Sequence, residues 1–182
     1  MLVSGANSTL FRVSPVGGDP SGSTHAFVCQ VVASEGNMVM EFTSIYRVTN
    51  NLDDPIALYT KTGDQVLSLV PGRSGYLPMK AIYGRHSDLF VKIADGKYEA
   101  SLSPVNLKLK KKPVVVTCPA LEEEKAPLIF STFIDVVQVD PEKQSNDGFI
   151  LDKEDTFHLK ISPLVTFKNL LPFDIQVADM VS

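Results

Sequence analysis

Apolar and polar residues alternate along two long stretches of this chain. In residues 38–50, one face carries Met38, Met40, Phe42, Tyr46, Val48 and Asn50. In residues 157–169, the same face carries Phe157, Leu159, Ile161, Val165, Phe167 and Asn169. A period of two is typical of a β-strand with one buried face. We therefore predict two long strands, each of which ends at an asparagine and is followed by a turn.

The two stretches align without a gap at an offset of 119 residues. Over residues 38–58 and 157–177, the identical pairs are Asn50/Asn169, Leu52/Leu171 and Ile56/Ile175. The shared phase of alternation, rather than this low identity, indicates an internal repeat. The chain then holds one full period and the opening of the next. Two organisations remain open, because each period either folds alone or is completed by strands of the next.

The other strand candidates are short and are separated by turns such as Pro71-Gly72 and Asp95-Gly96. Turn residues recur about every 8–12 positions. No stretch combines the 3.6-residue period of an α-helix with capping residues at its ends. We predict an all-β fold of antiparallel β-sandwich repeats, one full repeat plus part of the next. The predicted units are an N-terminal strand and flexible loop (1–23), a first repeat (24–127), and the start of a second repeat that can also complete the first sandwich (128–182).

Composition and charge make several classes of function improbable. The net charge of −4 gives no overall attraction to nucleic acid or anionic lipid. No apolar run reaches about 18 residues, so we expect no membrane-spanning helix. Cys29 and Cys118 have the spacing of neither a disulfide framework nor a metal site. We therefore expect two reduced thiols, no metal and no cofactor.

Residues with catalytic potential are scattered along the chain. His25, His86 and His158 have no partner at a catalytic or metal-binding spacing. The segment Gly72-Arg73-Ser74-Gly75 does not match the Gly-x-Ser-x-Gly spacing of a nucleophile elbow. The acidic loop 140–148 departs from the spacing of a calcium-binding loop. We therefore expect that the protein is not an enzyme.

One basic cluster stands out, formed by Lys108, Lys110, Lys111 and Lys112. The first two lysines alternate with Leu107 and Leu109, which favours an edge strand protected against aggregation. The alternative is a patch that binds lipid headgroups or phosphate. No aromatic residues are interleaved with these lysines, so we expect no binding of single-stranded nucleic acid.

Asn50 and Asn169 lie on the apolar face at the point where each strand ends. A side-chain amide both donates and accepts hydrogen bonds, so it can pair with backbone groups of the following turn. Asparagine is also simply frequent in turns. Its recurrence at the same phase favours a structural role over either chance or direct contact with a ligand.

The motif Asn-x-Leu-x-x-x-Ile-x-Leu/Val, followed by a Leu-rich strand and Pro71-Gly72, resembles the adaptor-binding repeats of the vacuolar protein sorting thirteen family. Residues 163–175 are especially similar to the opening of the family's repeat, and the likeness extends over essentially the whole chain. One departure is Asp53-Asp54, which stands where the second copy has Pro172-Phe173. The two turns therefore need not share one shape.

Members of that family are very large bridge-like lipid transfer proteins of membrane contact sites, in which six β-sandwich repeats form a hook. The resemblance implies a non-catalytic protein-interaction module that binds Pro-x-Pro motifs of organelle adaptors, with neighbouring repeats as further partners. It also implies a cytoplasmic, peripheral location, with membrane association through the adaptors. By this resemblance, Asn50 and Asn169 are the repeat asparagines.

We expect the adaptor peptide to pair as an added strand with an open sheet edge, because proline stiffens a peptide and lowers the entropy lost on binding. The candidate contacts lie on the two alternating faces, at Tyr46, Val48, Val165 and Phe167. Two alternatives remain: a purely structural repeat, or a lipid- or phosphoinositide-binding module that uses Lys108–Lys112.

Overall fold

The all-β prediction is confirmed. The structure, a computed structural model, describes residues 7–13, 25–34, 36–83, 88–108, 111–138 and 155–166. Its first strands are β1 (Asn7–Val13), β2 (His25–Ser34), β3 (Asn37–Ser44), β4 (Tyr46–Asn50), β5 (Ile56–Thr60), β6 (Gln65–Leu69) and β7 (Ser74–Tyr76). The short helix α1 (Met79–Tyr83) is followed by β8 (Leu89–Ile93), β9 (Val114–Cys118), β10 (Leu128–Gln138) and β11 (Asp155–Pro163).

These strands form three sheets. The first is a three-stranded meander in the order β1-β2-β3, the second has the order β7-β4-β11-β10-β9, and the third has the order β6-β5-β8. The second and third sheets share one hydrophobic core, to which Val48, Leu58, Phe130 and Leu159 contribute fully buried side chains. Burial of each such side chain contributes about 1.5–3 kcal/mol to folding.

Strands β4 and β11 pair in parallel, whereas the other named strand pairs are antiparallel. Phe157 lies opposite Tyr46, and Leu159 lies opposite Val48. These two strands come from the two stretches whose alternating patterns match in the sequence. A parallel pair needs a long connection, and here β5 to β10 lie between the partners. The sandwich that begins at β4 is therefore completed by strands beyond residue 127.

The predicted long strand over residues 38–50 is divided at Ile45, where the chain bends from the first sheet into the second. Tyr46, Val48 and Asn50 are buried as expected, but the side chains of Met38, Met40 and Phe42 are 73%, 60% and 64% exposed. The expectation of one continuous buried face is therefore wrong for β3. The reason is that the bend places β3 in the first sheet. Among the described residues, no second sheet covers the face of that sheet that carries Met38, Met40 and Phe42.

Helix α1 fastens the first sheet to the sandwich. It begins directly after Pro78, whose fixed φ is compatible with a helix start. The Tyr83 hydroxyl accepts a hydrogen bond from the backbone N–H of Ala26 at 2.9 Å. The Tyr83 ring stacks on His25 with 4.4 Å between ring centroids. Within the described ranges, no helix has the length and apolar character needed to span a membrane.

Candidate functional site

Asn50 occupies the end of β4, where its side chain is fully buried. Its amide nitrogen donates to the backbone oxygens of Asp54 at 2.8 Å and Leu69 at 3.2 Å. Its amide oxygen accepts from the backbone N–H of Leu52 at 3.0 Å. One side chain therefore holds the turn after β4 and joins it to the end of β6.

The backbone of Asn50 joins this residue to a second turn. Its N–H donates to the Arg73 oxygen at 3.0 Å, and its oxygen accepts from the Gly72 N–H at 2.8 Å. Gly72 has a φ of +70°, a left-handed conformation that glycine adopts without a Cβ clash. Both turns at this end of the sandwich are thus fixed by Asn50, the arrangement expected of a structural residue.

The residues that the sequence predicted for peptide contact do not form one accessible surface. Tyr46 and Val48 lie in the core, and β4 is paired with β7 on one side and β11 on the other. The Tyr46 hydroxyl donates to the Leu107 oxygen at 3.0 Å. Burial, and then the nearby Tyr83, raises the pKa of Tyr46 to about 12. Val165 is exposed beyond the end of β11, whereas Phe167 lies outside the described residues, as does Asn169.

The described residues of the lysine cluster lie before β9, at the surface. Lys108, Lys111 and Lys112 are exposed, and Lys110 lies outside the described residues. The backbone N–H of Lys111 donates to the Ile134 oxygen at 2.8 Å, which keeps this segment beside β10. The binding of lipid headgroups by these lysines stays a prediction.

Two open sheet edges are candidates for contact with another protein. The first is the β9 edge, which we define as the outer side of β9 with the exposed apolar residues Leu102, Val115 and Ile129. The Thr117 oxygen on this edge accepts from the Leu102 N–H at 2.9 Å. The sequence pattern of the Val-rich strand β9 did not lead us to predict an edge there. The signal that was overlooked is Pro113, since proline at a strand start is common at sheet edges.

The second is the β3 surface, which consists of the outer side of β3 with Met38, Met40 and Phe42. Where β3 ends, a groove of about 540 Å³ is lined by Phe27, Phe42, Tyr76 and Pro78, among others. Apolar side chains that remain exposed together usually mark a site of protein contact.

The meander β9-β10-β11 repeats the arrangement of β1-β2-β3. Phe27 on β2 lies opposite Ser44, the last residue of β3, and Phe130 on β10 lies opposite Pro163, the last residue of β11. Ser44 and Pro163 are related by the offset of 119 residues that the sequence pattern indicated. Strands β3 and β11 are therefore structural counterparts as well as sequence counterparts.

His158 lies on the outer face of the second sheet, where its Nε2 is 2.6 Å from the Thr49 hydroxyl oxygen. Burial lowers the pKa of this imidazole below its ordinary 6.5, and the nearby charges of Lys160 and Arg47 add to that effect. Asp135 acts in the opposite direction, but it is paired with Lys160 at 3.3 Å. The folded chain therefore favours neutral His158.

This lowered pKa predicts a pH dependence of stability. The unfolded chain takes up the His158 proton at a higher pH than the folded chain, so protonation favours unfolding. We expect His158 to contribute a decrease in the free energy of unfolding as the pH falls below about 6.5. Urea unfolding at several pH values should show a smaller decrease for His158→Gln. Equal pH slopes in the two proteins would contradict the predicted shift.

The described residues hold no group of three or more His, Cys, Asp or Glu side chains that could bind a metal ion. The thiol of Cys118 is buried, and burial raises its pKa to about 11. Such a thiol is almost fully protonated near neutral pH and therefore a poor nucleophile. Cys118 therefore contributes to the packing of the core rather than a reactive thiolate.

Comparison with known proteins identifies the family of this chain. A comparison with curated proteins finds no match to the chain. A family model described as the adaptor binding domain of vacuolar-sorting associated protein 13 matches residues 6–179. Because that match covers almost the whole sequence, the chain belongs to the vacuolar-sorting associated protein 13 adaptor-binding domain family.

Proposed function

We propose that this protein-interaction module binds Pro-x-Pro segments of organelle adaptor proteins and thereby directs a large lipid transfer protein to membrane contact sites. Its location is then cytoplasmic and peripheral, with the membrane reached through the adaptors. Neighbouring repeats of the same chain are the second class of partner. The observation that carries the adaptor proposal is the β9 edge, which is open along Val114–Val116, whereas residues 98–102 pair with the chain from Thr117 to Ala120.

The β9 edge presents backbone groups for one more strand. The Thr117 oxygen points outward, because it accepts from Leu102 rather than from β10. In an antiparallel pair, residues two apart direct their backbone groups to the same side. Val115 therefore directs its N–H and C=O outward as well, and an extended peptide can pair with them.

The Pro-x-Pro pattern fits an edge of this kind for a physical reason. In an added strand, the middle residue can pair with the sheet while both prolines direct their imide nitrogens away from it. Proline has no N–H, so neither proline costs a ladder hydrogen bond at these positions. Both rings then fall on one face, and the outer face offers the exposed side chains of Val115 and Ile129.

The β3 surface is longer, but its structural counterpart supports a different assignment. On β11, the positions that correspond to Met38, Met40 and Phe42 are buried, and β4 pairs along that edge. We therefore assign the adaptor peptide to the β9 edge. The asparagine at the end of β4 serves this function indirectly, since it holds the sandwich that carries the edge.

Titration of the isotope-labelled chain with a Pro-x-Pro peptide tests the proposal. We expect amide shifts centred on residues 114–117 and Leu102, with a micromolar dissociation constant, about −8 kcal/mol. An Ala-x-Ala peptide should bind at least about tenfold more weakly, because it loses more entropy on binding. Val115→Asp should remove binding, and Val137→Asp, a change at an exposed residue of β10, should leave it intact.

Either of two results would contradict the proposal. The absence of shifts at millimolar peptide would leave a purely structural repeat as the function of this unit. Binding that is unchanged by Val115→Asp would place the peptide away from the β9 edge.

A further inference from the structure

We propose that the outer face of the second sheet holds a binding site for a small oxyanion with two negative charges, such as phosphate, and that binding is coupled to protonation of His158. The site consists of three basic side chains and two hydroxyls, namely Arg47, His158, Lys160, Thr49 and Ser74. We call these five residues the outer-face site. The proposal goes beyond adaptor binding and uses neither the β9 edge nor the lysine cluster before β9.

The five side chains come together because neighbouring strands direct alternate residues to the same face of a sheet. Arg47 on β4 lies opposite His158 on β11. Thr49 on β4 lies opposite Lys160 on β11 and Ser74 on β7. Adjacent strands are about 4.8 Å apart, and arginine and lysine side chains are long, so one tetrahedral anion above this face can contact all three strands. None of the five residues is buried.

A chain of hydrogen bonds crosses the outer-face site from β7 to β11. The Ser74 Oγ lies 2.7 Å from the Thr49 Oγ1, which in turn lies 2.6 Å from the His158 Nε2. If Nε2 carries no proton, Thr49 donates to His158 and Ser74 donates to Thr49, so both hydroxyl hydrogens are used. If Nε2 is protonated, His158 donates to Thr49, and one of the two hydroxyls keeps a hydrogen for an anion.

The charges of the site are unbalanced. Asp135 on β10 lies opposite His158 and is paired with Lys160 at 3.3 Å. Arg47 is exposed and forms no ion pair with another of the described residues. Its guanidinium presents a fork of N–H donors that matches the oxygens of a phosphate group. Like charges directly opposite on neighbouring strands destabilise a sheet, so protonation of His158 beside Arg47 creates a repulsion that a bound anion would relieve.

Anion binding and protonation of His158 should therefore favour each other. The charges of Lys160 and Arg47 disfavour the imidazolium, and a bound anion would offset both charges. The other charged or titratable groups that face this imidazole are the Asp135 carboxylate on β10, which favours the imidazolium, and the Tyr76 hydroxyl beside Arg47 on β7. By linkage, the factor by which protonation tightens anion binding equals the factor by which the anion favours protonation.

Titration of the isotope-labelled chain with sulfate tests the proposal, because sulfate keeps both charges across the pH range of histidine. Chloride holds the ionic strength constant, so general screening does not change during the titration. We expect saturable shifts of the amides of residues 47–49, 74–76 and 158–160 and of the His158 ring. Binding should be at least about threefold tighter at about pH 5.5 than at about pH 7.5.

Two substitutions remove one positive charge each from an exposed side chain. Arg47→Gln should weaken sulfate binding at least about tenfold, because the guanidinium fork is lost. Lys92→Gln, on β8 of the third sheet, is the matched control and should leave binding unchanged. Both variants should keep the melting temperature of the parent chain, because both side chains are exposed.

Two further substitutions separate anion binding from a merely structural role. Asp135→Asn should tighten sulfate binding about threefold, because it removes a carboxylate that repels the anion and is paired with Lys160. His158→Gln should remove the pH dependence of binding, because sulfate itself does not titrate in this range. A face that only stabilises the sheet would show neither effect.

Inorganic phosphate, and vesicles with and without a lipid that carries a phosphate monoester, distinguish the source of the anion. Tighter binding to the phosphate-bearing vesicles than to free phosphate, dependent on Arg47, supports the site with a lipid headgroup as its ligand. Arg47-dependent binding of free phosphate without that gain supports it with a soluble anion. Shifts that grow linearly with sulfate, or equal losses in Arg47→Gln and Lys92→Gln, would overturn the inference, because both results indicate non-specific screening.

Discussion

Leu159→Ala should lower the free energy of unfolding by about 3 kcal/mol, whereas Met40→Ala should change it by less than about 0.5 kcal/mol. The two residues occupy equivalent positions on β11 and β3. Leu159 is fully buried, so its truncation removes apolar contacts and leaves a cavity. Met40 is mostly solvated, so its truncation removes little that folding had buried.

Urea unfolding of the 182-residue chain measures this difference, with the slope of the transition checked for equality between the variants. Each substitution is the matched control of the other, because both truncate a large apolar side chain on the third strand of a meander. Similar losses in both variants would show that the face of β3 is covered in the isolated chain. That outcome would contradict the exposure of Met40 in the structure.

Asn50→Ala should lower the free energy of unfolding by about 3 kcal/mol, because each buried group left without a partner costs about 1–3 kcal/mol. The substitution removes the donor to Asp54 and Leu69 and the acceptor for Leu52. These groups lie in and beside the turn after β4, where little water can replace the amide. We therefore expect lost thermal stability as the first effect.

Asn51→Ala is the matched control for this substitution. The side chain of Asn51 donates to the Ser162 hydroxyl at 2.9 Å, but that contact is exposed, so its loss should cost less than about 0.5 kcal/mol. Asn50→Asp distinguishes the role of the amide nitrogen from that of the amide oxygen. It keeps an acceptor for the Leu52 N–H and removes the donor to Asp54 and Leu69. We expect it to be at least as destabilising as Asn50→Ala. Unchanged melting of Asn50→Ala with loss of peptide binding would instead indicate a binding role.

Much of the local structure was predictable from the sequence because its causes are local. Alternation along residues 38–50 and 157–169 predicted two long strands. The first stretch holds β3 and β4, whereas the second holds β11, which ends at Pro163, so the predicted strand is wrong for residues 164–166. The position of Asn50 at a strand end predicted hydrogen bonds to turn backbone, and such bonds are present. The all-β class followed from these patterns, and the family followed from the resemblance of the motif around Asn50; both are confirmed.

The candidate surfaces were harder to predict, because exposure depends on residues distant in the sequence. Tyr46 and Met40 occupy the same face of one alternating pattern, yet one is buried and the other is exposed. The residue types near Ile45 do not predict the bend that separates them. Val115 stands in a run of valines, and its place on an edge depends on which strands lie beside β9.

The sequence by itself therefore determined the strands, their apolar faces, the asparagine at the end of β4 and the family to which the chain belongs. These features depend on side-chain spacing and short-range hydrogen bonding, both of which a linear pattern contains. Only the tertiary structure decided that β11 completes the sandwich of β4 while its counterpart β3 keeps an open edge. That difference arises from strand pairing across the length of the chain, because identical apolar patterns are buried only where a second layer covers them.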